Sequence, residues 1–162
     1  MLGKKGSRGV SVSQLAYKKK ILRAARRLVI KLGSQILSSR EGVEEGRIRG
    51  LVRDLAALHN EGKELVVVSS GAVAAGMTRL GLSQRPKTIP QKQALAAVGQ
   101  IKLMALYERY FSRFDKRVAQ VLLTHEDLAN RRRYLNAKHT LKTLLGDRII
   151  ATAILDRVLH HA

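Results

Sequence analysis

The sequence predicts an α/β fold in which a parallel β-sheet is covered by helices on both faces. Short apolar runs typical of buried strands alternate along the chain with longer helical patterns. Such alternation indicates βαβ units and therefore parallel strands. A length of 162 residues is enough for one domain with a substantial core.

The first strand is predicted at residues 28–30, within "RLVIKLGSQIL", and is stopped by Gly33. Residues 44–62 carry apolar side chains spaced by three and four, which indicates an amphipathic helix that Asn60 and Gly62 close. A second buried strand is expected at residues 65–68. Together these segments form the first βαβ unit.

Small residues follow the second strand in "SSGAVAAGM". They predict a helix that begins after Gly71 and packs closely on its neighbours. Gly81 and the loop "LSQRPKTIP", which contains both prolines, end this helix. A long helix is then expected over residues 92–114.

The last predicted elements are a third strand over residues 117–124, a helix over 126–145 and a fourth strand over 148–155, "RIIATAIL". Thr124 precedes the helix and is a suitable N-cap.

The net charge of +19 is concentrated at the amino-terminal end, because residues 1–40 carry eleven Lys or Arg and no Asp or Glu. We expect residues 1–26 to be a basic, disordered extension and residues 27–162 to be the folded domain. Contacts with nucleic acid or an anionic membrane, and an organelle-targeting role, stay open for the extension. Tyr17 is the only Phe, Trp or Tyr among the first 106 residues, so nucleic acid binding is not expected as the main function.

The absence of Cys excludes disulfides, thiolate metal sites and a cysteine nucleophile. The apolar runs are too short to cross a bilayer. We therefore expect a cytoplasmic protein with no membrane partner.

The five His residues do not have the spacing of metal ligands, and a surface or capping position is expected for each of them.

Candidate binding residues lie in the turns after the first two strands, because ligands of open α/β sheets bind beyond the carboxyl ends of the strands. Gly33 and Gly71 permit tight turns there, and the following helices direct backbone N–H groups at an anion. Lys31 adds a positive charge suited to phosphoryl oxygens. The spacing from Gly71 to Thr78 resembles a P-loop but has Met77 where that motif requires Lys. Close packing of helix on sheet is the simpler interpretation of the small residues.

Four separated blocks occur in an order that identifies a family: "VIKLGSQIL", "LVVVSSGAVAAGM", "IPQKQALAAVGQIKLMALYERYF" and "AQVLLTHEDLANRRRYLNAKHTLKTLL". Over residues 27–150 they resemble the amino-terminal half of the glutamate 5-kinases, within the amino acid kinase family. The resemblance implies part of the αβα sandwich of that family.

The resemblance also implies ATP-dependent phosphorylation of the γ-carboxylate of L-glutamate, the first committed step of proline biosynthesis, with Mg²⁺. Carried over to this sequence, Lys31 is the catalytic residue and contacts the transferring phosphate together with Gly33. Ser70, Gly71 and Ala72 bind glutamate, and no metal ligand is identified. Such chemistry depends on electrostatic positioning rather than on a covalent nucleophile.

The resemblance ends at Ile150, where the family continues into an Asn-Glu-Asn-Asp loop and a nucleotide-binding lobe, whereas this chain reads "IIATAILDRVLHHA". We expect a truncated or frame-shifted product whose activity is impaired. An inactive remnant that binds glutamate, or that assembles with itself or with a full-length kinase, stays open as an alternative. A basic nucleic-acid-associated protein is the less favoured one.

Overall fold

The computed structural model describes residues 12–39 and 42–155. The strands are β1 (Arg27–Leu32), β2 (Ser38–Ser39), β3 (Gly42–Val43), β4 (Glu64–Ser69), β5 (Val118–Leu123) and β6 (Ile150–Leu155). The helices are α1 (Val12–Ala24), α2 (Ser34–Leu37), α3 (Glu45–Asn60), α4 (Ala72–Arg79), α5 (Ile89–Phe111), α6 (His125–Ala129) and α7 (Arg131–Gly146), with a 3-10 turn at Ser112–Phe114.

Four strands form one parallel sheet in the order β1-β4-β6-β5. This confirms the predicted parallel sheet. In the β1–β4 pair, Lys31 lies opposite Val68 and Leu32 opposite Ser69, so the two strands end at the same edge. β2 and β3 form a separate antiparallel hairpin that the sequence analysis did not identify.

Helices cover both faces of this sheet, as predicted. α3 and α5 cover one face, where the buried core consists of Leu32, Leu37, Ile48, Val52, Leu55, Leu65, Val67, Leu103, Leu106, Tyr107, Tyr110, Phe111 and Ile150. α7 covers the other face with a smaller core of Val66, Leu123, Leu145, Ala151 and Ala153. β4 contributes to both cores, which explains its uninterrupted apolar run.

Capping side chains determine where the helices in the second half begin. The Thr88 hydroxyl accepts from Gln91 N, and the Gln91 side chain accepts from the backbone N of Thr88, at the start of α5. Thr124 and Asp127 make the same capping box for α6, which confirms Thr124 as a cap.

The helix predicted over residues 126–145 is two helices, α6 and α7. Asn130 adopts an extended backbone conformation between them, and its side-chain oxygen accepts from Arg132 N at 3.0 Å and Arg133 N at 3.1 Å. This side chain offers the backbone a local alternative to a continuous helix, which the apolar spacing alone did not reveal.

Residues 12–24 form the helix α1, whereas a disordered extension was expected there. The ammonium group of Lys63 donates to the carbonyl oxygens of Arg23 and Ala25, both at 2.6 Å, and so caps the carboxyl end of this helix. The expected disorder of residues 1–11 lies outside the described residues. Among the described helices, none is long and apolar enough to span a bilayer.

Candidate functional site at the carboxyl ends of β1 and β4

The turn after β4 is joined to the end of β1 by two hydrogen bonds. The Ser70 hydroxyl donates to the carbonyl oxygen of Leu32 at 2.7 Å, and the backbone N–H of Ser70 donates to the same oxygen at 3.1 Å. Ser70 is thereby held beside the segment from Lys31 to Gly33. The predicted site residues of the two turns do lie next to each other.

Gly71 is the N-cap of α4 and has φ +120°, a conformation that favours glycine. A Cβ at this position would contact Leu37 at 3.5 Å. No side chain caps the first turn of α4. The N–H groups of this turn can therefore donate hydrogen bonds to an acceptor outside the helix. Ala72, the first residue of α4, is only partly buried.

Lys31 is exposed and precedes the buried Leu32, so the two side chains point to opposite faces of the sheet. Gly33 is also exposed, and a Cβ there would have no atom within 4 Å. Its φ is not among the positive ones, so the tight turn expected at Gly33 does not require glycine. The open space at Gly33 and the charge of Lys31 are compatible with an approaching anion.

The small residues further along α4 serve helix packing rather than the sheet edge. A Cβ at Gly76 would overlap the backbone of Leu95, and a Cβ at Gly99 would overlap the carbonyl of Ala72 and the backbone N of Gly76. α4 and α5 therefore approach each other backbone to backbone. Close packing of α4 on α5 explains Gly76. The small residues that could leave the strand end open to a ligand are therefore those of the turn from Ser70 to Ala72.

Ser69 and Tyr107 form a buried pair behind this turn that the sequence analysis missed. The two hydroxyl oxygens are 2.9 Å apart, and Tyr107 is fully buried on α5. Burial raises the pKa of Tyr107, while the hydrogen bond with Ser69 lowers it to a lesser degree. The sequence could have predicted such a pair, because Tyr107 lies in the apolar stripe of α5 and a buried phenol requires a polar partner.

A metal site is not found among the described residues, where no three His, Asp or Glu side chains are clustered. Carboxylate oxygens are the protein ligands that Mg²⁺ prefers. The described residues at this edge supply no ligand set for Mg²⁺.

His59 contradicts the expectation of a surface or capping position for each His. Its side chain is buried at 4% exposure, and its Nδ1 has no hydrogen-bond partner. Burial, followed by the charges of Arg148 and Lys116, lowers the pKa of His59. It stands in the last turn of α3, at the opposite end of that helix from the candidate site. His160 and His161 lie outside the described residues.

Two surface cavities occur away from these residues. One of about 510 Å³ is lined by the loop before α5 and includes Arg85 and Lys87. The other, of about 390 Å³, lies at the start of α7 beside Glu126 and Arg133, whose side chains form a 2.8 Å ion pair. No predicted site residue lines either cavity.

Comparison with known proteins gives a consistent result. Residues 26–155 match the sequence profile described as "Amino acid kinase family". A protein named glutamate 5-kinase from Geobacter sp. (strain M21) is 54% identical over 134 residues, which are 82% of this chain and 36% of that protein. Proteins of the same name from Thermus thermophilus and from Meiothermus ruber are 57% identical over 122 residues and 58% identical over 120 residues.

These last two alignments cover 75% and 74% of this chain, but 33% and 31% of the relatives. The chain thus spans about a third of the length of the curated relatives that it matches.

Proposed function

Because the chain belongs to the amino acid kinase family, we propose that it is a glutamate 5-kinase-like protein that contributes the glutamate and phosphate end of the site. The relatives are named glutamate 5-kinase, and the first two of the four sequence blocks contain the carboxyl ends of β1 and β4. The reaction proposed for the complete site is transfer of a phosphoryl group from ATP to the γ-carboxylate of L-glutamate.

In that reaction an oxygen of the γ-carboxylate forms a bond to the γ-phosphorus of ATP, and the bond from this phosphorus to the β–γ bridging oxygen breaks. The products are γ-glutamyl phosphate and ADP. Lys31 is proposed to stabilise the negative charge on the transferring group, and the exposed backbone at Gly33 is proposed to let that group approach. ATP supplies the phosphoryl group in this proposal, and Mg²⁺ would neutralise its charge.

The observation that carries the proposal is the bond from the Ser70 hydroxyl to Leu32, at 2.7 Å. It holds the turn containing Gly71 and Ala72 against the strand that carries Lys31. The hydroxyl proton is committed to this bond, and the remaining capacity of the oxygen is to accept. Ser70 is therefore proposed to accept from the ammonium group of glutamate, while the N–H groups at the start of α4 receive a carboxylate.

Autonomous turnover is expected to be impaired. The nucleotide-binding lobe that the resemblance implies does not belong to the blocks matched here, and this chain aligns with about a third of each relative. A binding or assembly module, pairing with itself or with a full-length kinase, is the second candidate function. It is favoured by the two outer strands of the four-stranded sheet, β1 and β5, each of which pairs on one side within the described part of the chain. A cytoplasmic location is proposed with either function.

Binding of L-glutamate to the full chain tests the proposal. We expect amide resonances of Ser70, Gly71 and Ala72 to shift on titration with L-glutamate and not with D-glutamate. Ser70→Ala should weaken binding by about tenfold or more, because a hydrogen bond to a charged group is lost. Ser112→Ala is the matched control, since its hydroxyl donates to the Arg109 carbonyl in another part of the fold. Saturating L-glutamate without shifts in this turn would reject the proposed site.

Turnover is measured separately, with a hydroxamate assay containing glutamate, ATP and Mg²⁺. We expect little γ-glutamyl phosphate compared with a full-length relative. Robust turnover that is lost in Lys31→Ala and kept in Lys142→Ala would contradict the expected impairment while supporting the role of Lys31.

A further inference from the structure

The helix α1 exposes a basic and apolar surface that the core does not cover. Its large apolar side chains are exposed to solvent by 46% at Leu15, 67% at Tyr17, 49% at Ile21 and 56% at Leu22. No acidic residue occurs in the helix, and its four basic residues, Lys18, Lys19, Lys20 and Arg23, are all exposed. By contrast, α3 buries five residues against the sheet.

The four apolar residues share one side of the helix. With about 100° of rotation per residue, Leu15, Tyr17, Ile21 and Leu22 fall within an arc of roughly 160°. Lys19, Lys20 and Arg23 lie outside this arc. Lys18 lies within it, where a long aliphatic stem can pack on an apolar surface while the ammonium group stays in contact with water.

An isolated helix of 13 residues is marginal in water, so an apolar partner would stabilise α1. The contacts of Lys63 with the last carbonyl oxygens anchor one end of α1 to the domain and leave the apolar arc uncovered. A partner must therefore provide apolar contacts along this arc and negative charge for the lysines within and beside it.

We propose that α1 is a docking element for an anionic lipid bilayer. Leu15, Tyr17, Ile21 and Leu22 enter the boundary between headgroups and acyl chains, and the basic side chains contact lipid phosphates. Charge complementarity selects an anionic surface, because the helix carries only positive charges. A lipid interface accounts for the exposed apolar arc, whereas phosphate contacts with a nucleic acid leave that arc unused. The sequence analysis left contact of the extension with an anionic membrane open, and the expectation of no membrane partner rested on the lack of a segment long enough to cross a bilayer.

Flotation of the full chain with vesicles tests this proposal. The vesicles contain either phosphatidylcholine alone or phosphatidylcholine with about one third phosphatidylglycerol. We expect binding to the anionic vesicles to be at least tenfold tighter, and to weaken as NaCl is raised. Equal binding to both kinds of vesicle, or to neither, overturns the proposal.

Two sets of variants separate charge from apolar insertion. Lys18→Gln with Lys19→Gln and Lys20→Gln should weaken binding by about two orders of magnitude, at roughly fivefold per basic residue. Leu15→Gln with Leu22→Gln keeps the charge and should weaken binding by more than tenfold.

Matched controls remove the same groups elsewhere. Arg131→Gln, Arg132→Gln and Lys142→Gln remove three exposed charges from α7. Ile101→Gln with Leu128→Gln removes two apolar side chains that are 70% and 46% exposed. Both controls should retain binding to within about threefold. Controls that lose as much as the α1 variants would show that general surface charge or hydrophobicity is responsible.

Single-stranded RNA serves as the competing anionic ligand, measured by fluorescence anisotropy. If RNA binding depends on the three lysines and vesicle binding is unchanged by the Leu15 and Leu22 substitutions, the partner of α1 is a nucleic acid and not a lipid surface. Vesicle binding that requires both the lysines and the leucines supports the proposal.

Discussion

The Ser70 hydroxyl donates a 2.7 Å hydrogen bond to the carbonyl oxygen of Leu32, a residue 38 positions away in sequence. This bond joins the turn after β4 to the end of β1. Directly behind it, the hydroxyl groups of Ser69 and Tyr107 share a buried hydrogen bond. The two adjacent serines therefore have different functions. Ser69 attaches the strand end to α5, and Ser70 faces the edge at which we propose that glutamate binds.

The buried pair should contribute measurably to stability. We expect Tyr107→Phe to lower the free energy of unfolding by about 1–2 kcal/mol, because the buried Ser69 hydroxyl loses the Tyr107 hydroxyl and keeps only a long 3.4 Å bond to the Ser70 carbonyl oxygen. Urea unfolding measures this loss. Tyr134→Phe is the control, since Tyr134 is 43% exposed and should change the free energy by less than about 0.5 kcal/mol. A double-mutant cycle with Ser69→Ala should show strong non-additivity, and additive losses would argue against the pair.

The contact between α4 and α5 should not tolerate a methyl group. We expect Gly99→Ala to destabilise the fold by about 3 kcal/mol or more, because its Cβ would overlap the backbone of Ala72 and Gly76. Gly50→Ala is the matched control within α3, where a Cβ has no atom within 4 Å. That variant should gain about 0.5–1 kcal/mol from helix propensity. Thermal unfolding compares them, and a neutral Gly99→Ala would refute the backbone contact.

His59 should make the fold less stable in mild acid. Its folded-state pKa lies below the ordinary value of 6.5, so the unfolded chain binds the proton first as pH falls. Stability is unaffected above about pH 7, and it declines below pH 6.5 until the folded-state pKa is passed, with a slope of at most about 1.4 kcal/mol per pH unit.

Urea unfolding between pH 7.5 and 5 measures this slope. His59→Gln should reduce it, and His139→Gln, which replaces an exposed His, should not. An unchanged slope in His59→Gln would assign the acid sensitivity to other groups.

Deleting residues 1–26 should leave the domain folded. The deletion removes the 3.0 Å ion pair of Arg26 with Glu64, the 2.9 Å bond from Glu64 N to the Arg26 carbonyl oxygen and the bonds of Lys63 to α1, but it retains the 2.6 Å pair of Arg27 with Glu64. The loss should be about 1–2 kcal/mol, since exposed ion pairs and hydrogen bonds each contribute little. Melting curves followed by circular dichroism test this, and a broad, non-cooperative transition would mean that α1 belongs to the core.

The sequence by itself determined the α/β class, the parallel sheet and the order along the chain of its four strands and of the longer helices between them. These follow from local physics: apolar runs form buried strands, and apolar spacing of three and four forms amphipathic helices. Thr124 was identified as a cap because it precedes a helical pattern, and the structure adds Asp127, three residues away, as its partner in a capping box. Each family block is a local stretch of sequence, and two of these blocks assigned Lys31, Gly33, Ser70, Gly71 and Ala72 to the two candidate turns.

Only the tertiary structure decided which of these groups meet and which serve packing. The contacts of Ser70 with Leu32 and of Ser69 with Tyr107 both join residues 38 positions apart, a distance that no local pattern encodes. The small residues after β4 predicted close packing of α4, but only the structure shows that α5 is the partner and that the helix backbones approach at Gly76 and Gly99. His59 was expected at the surface or at a cap because its burial depends on tertiary packing, which local sequence does not encode; its carbonyl oxygen accepts from Arg148, 89 positions away.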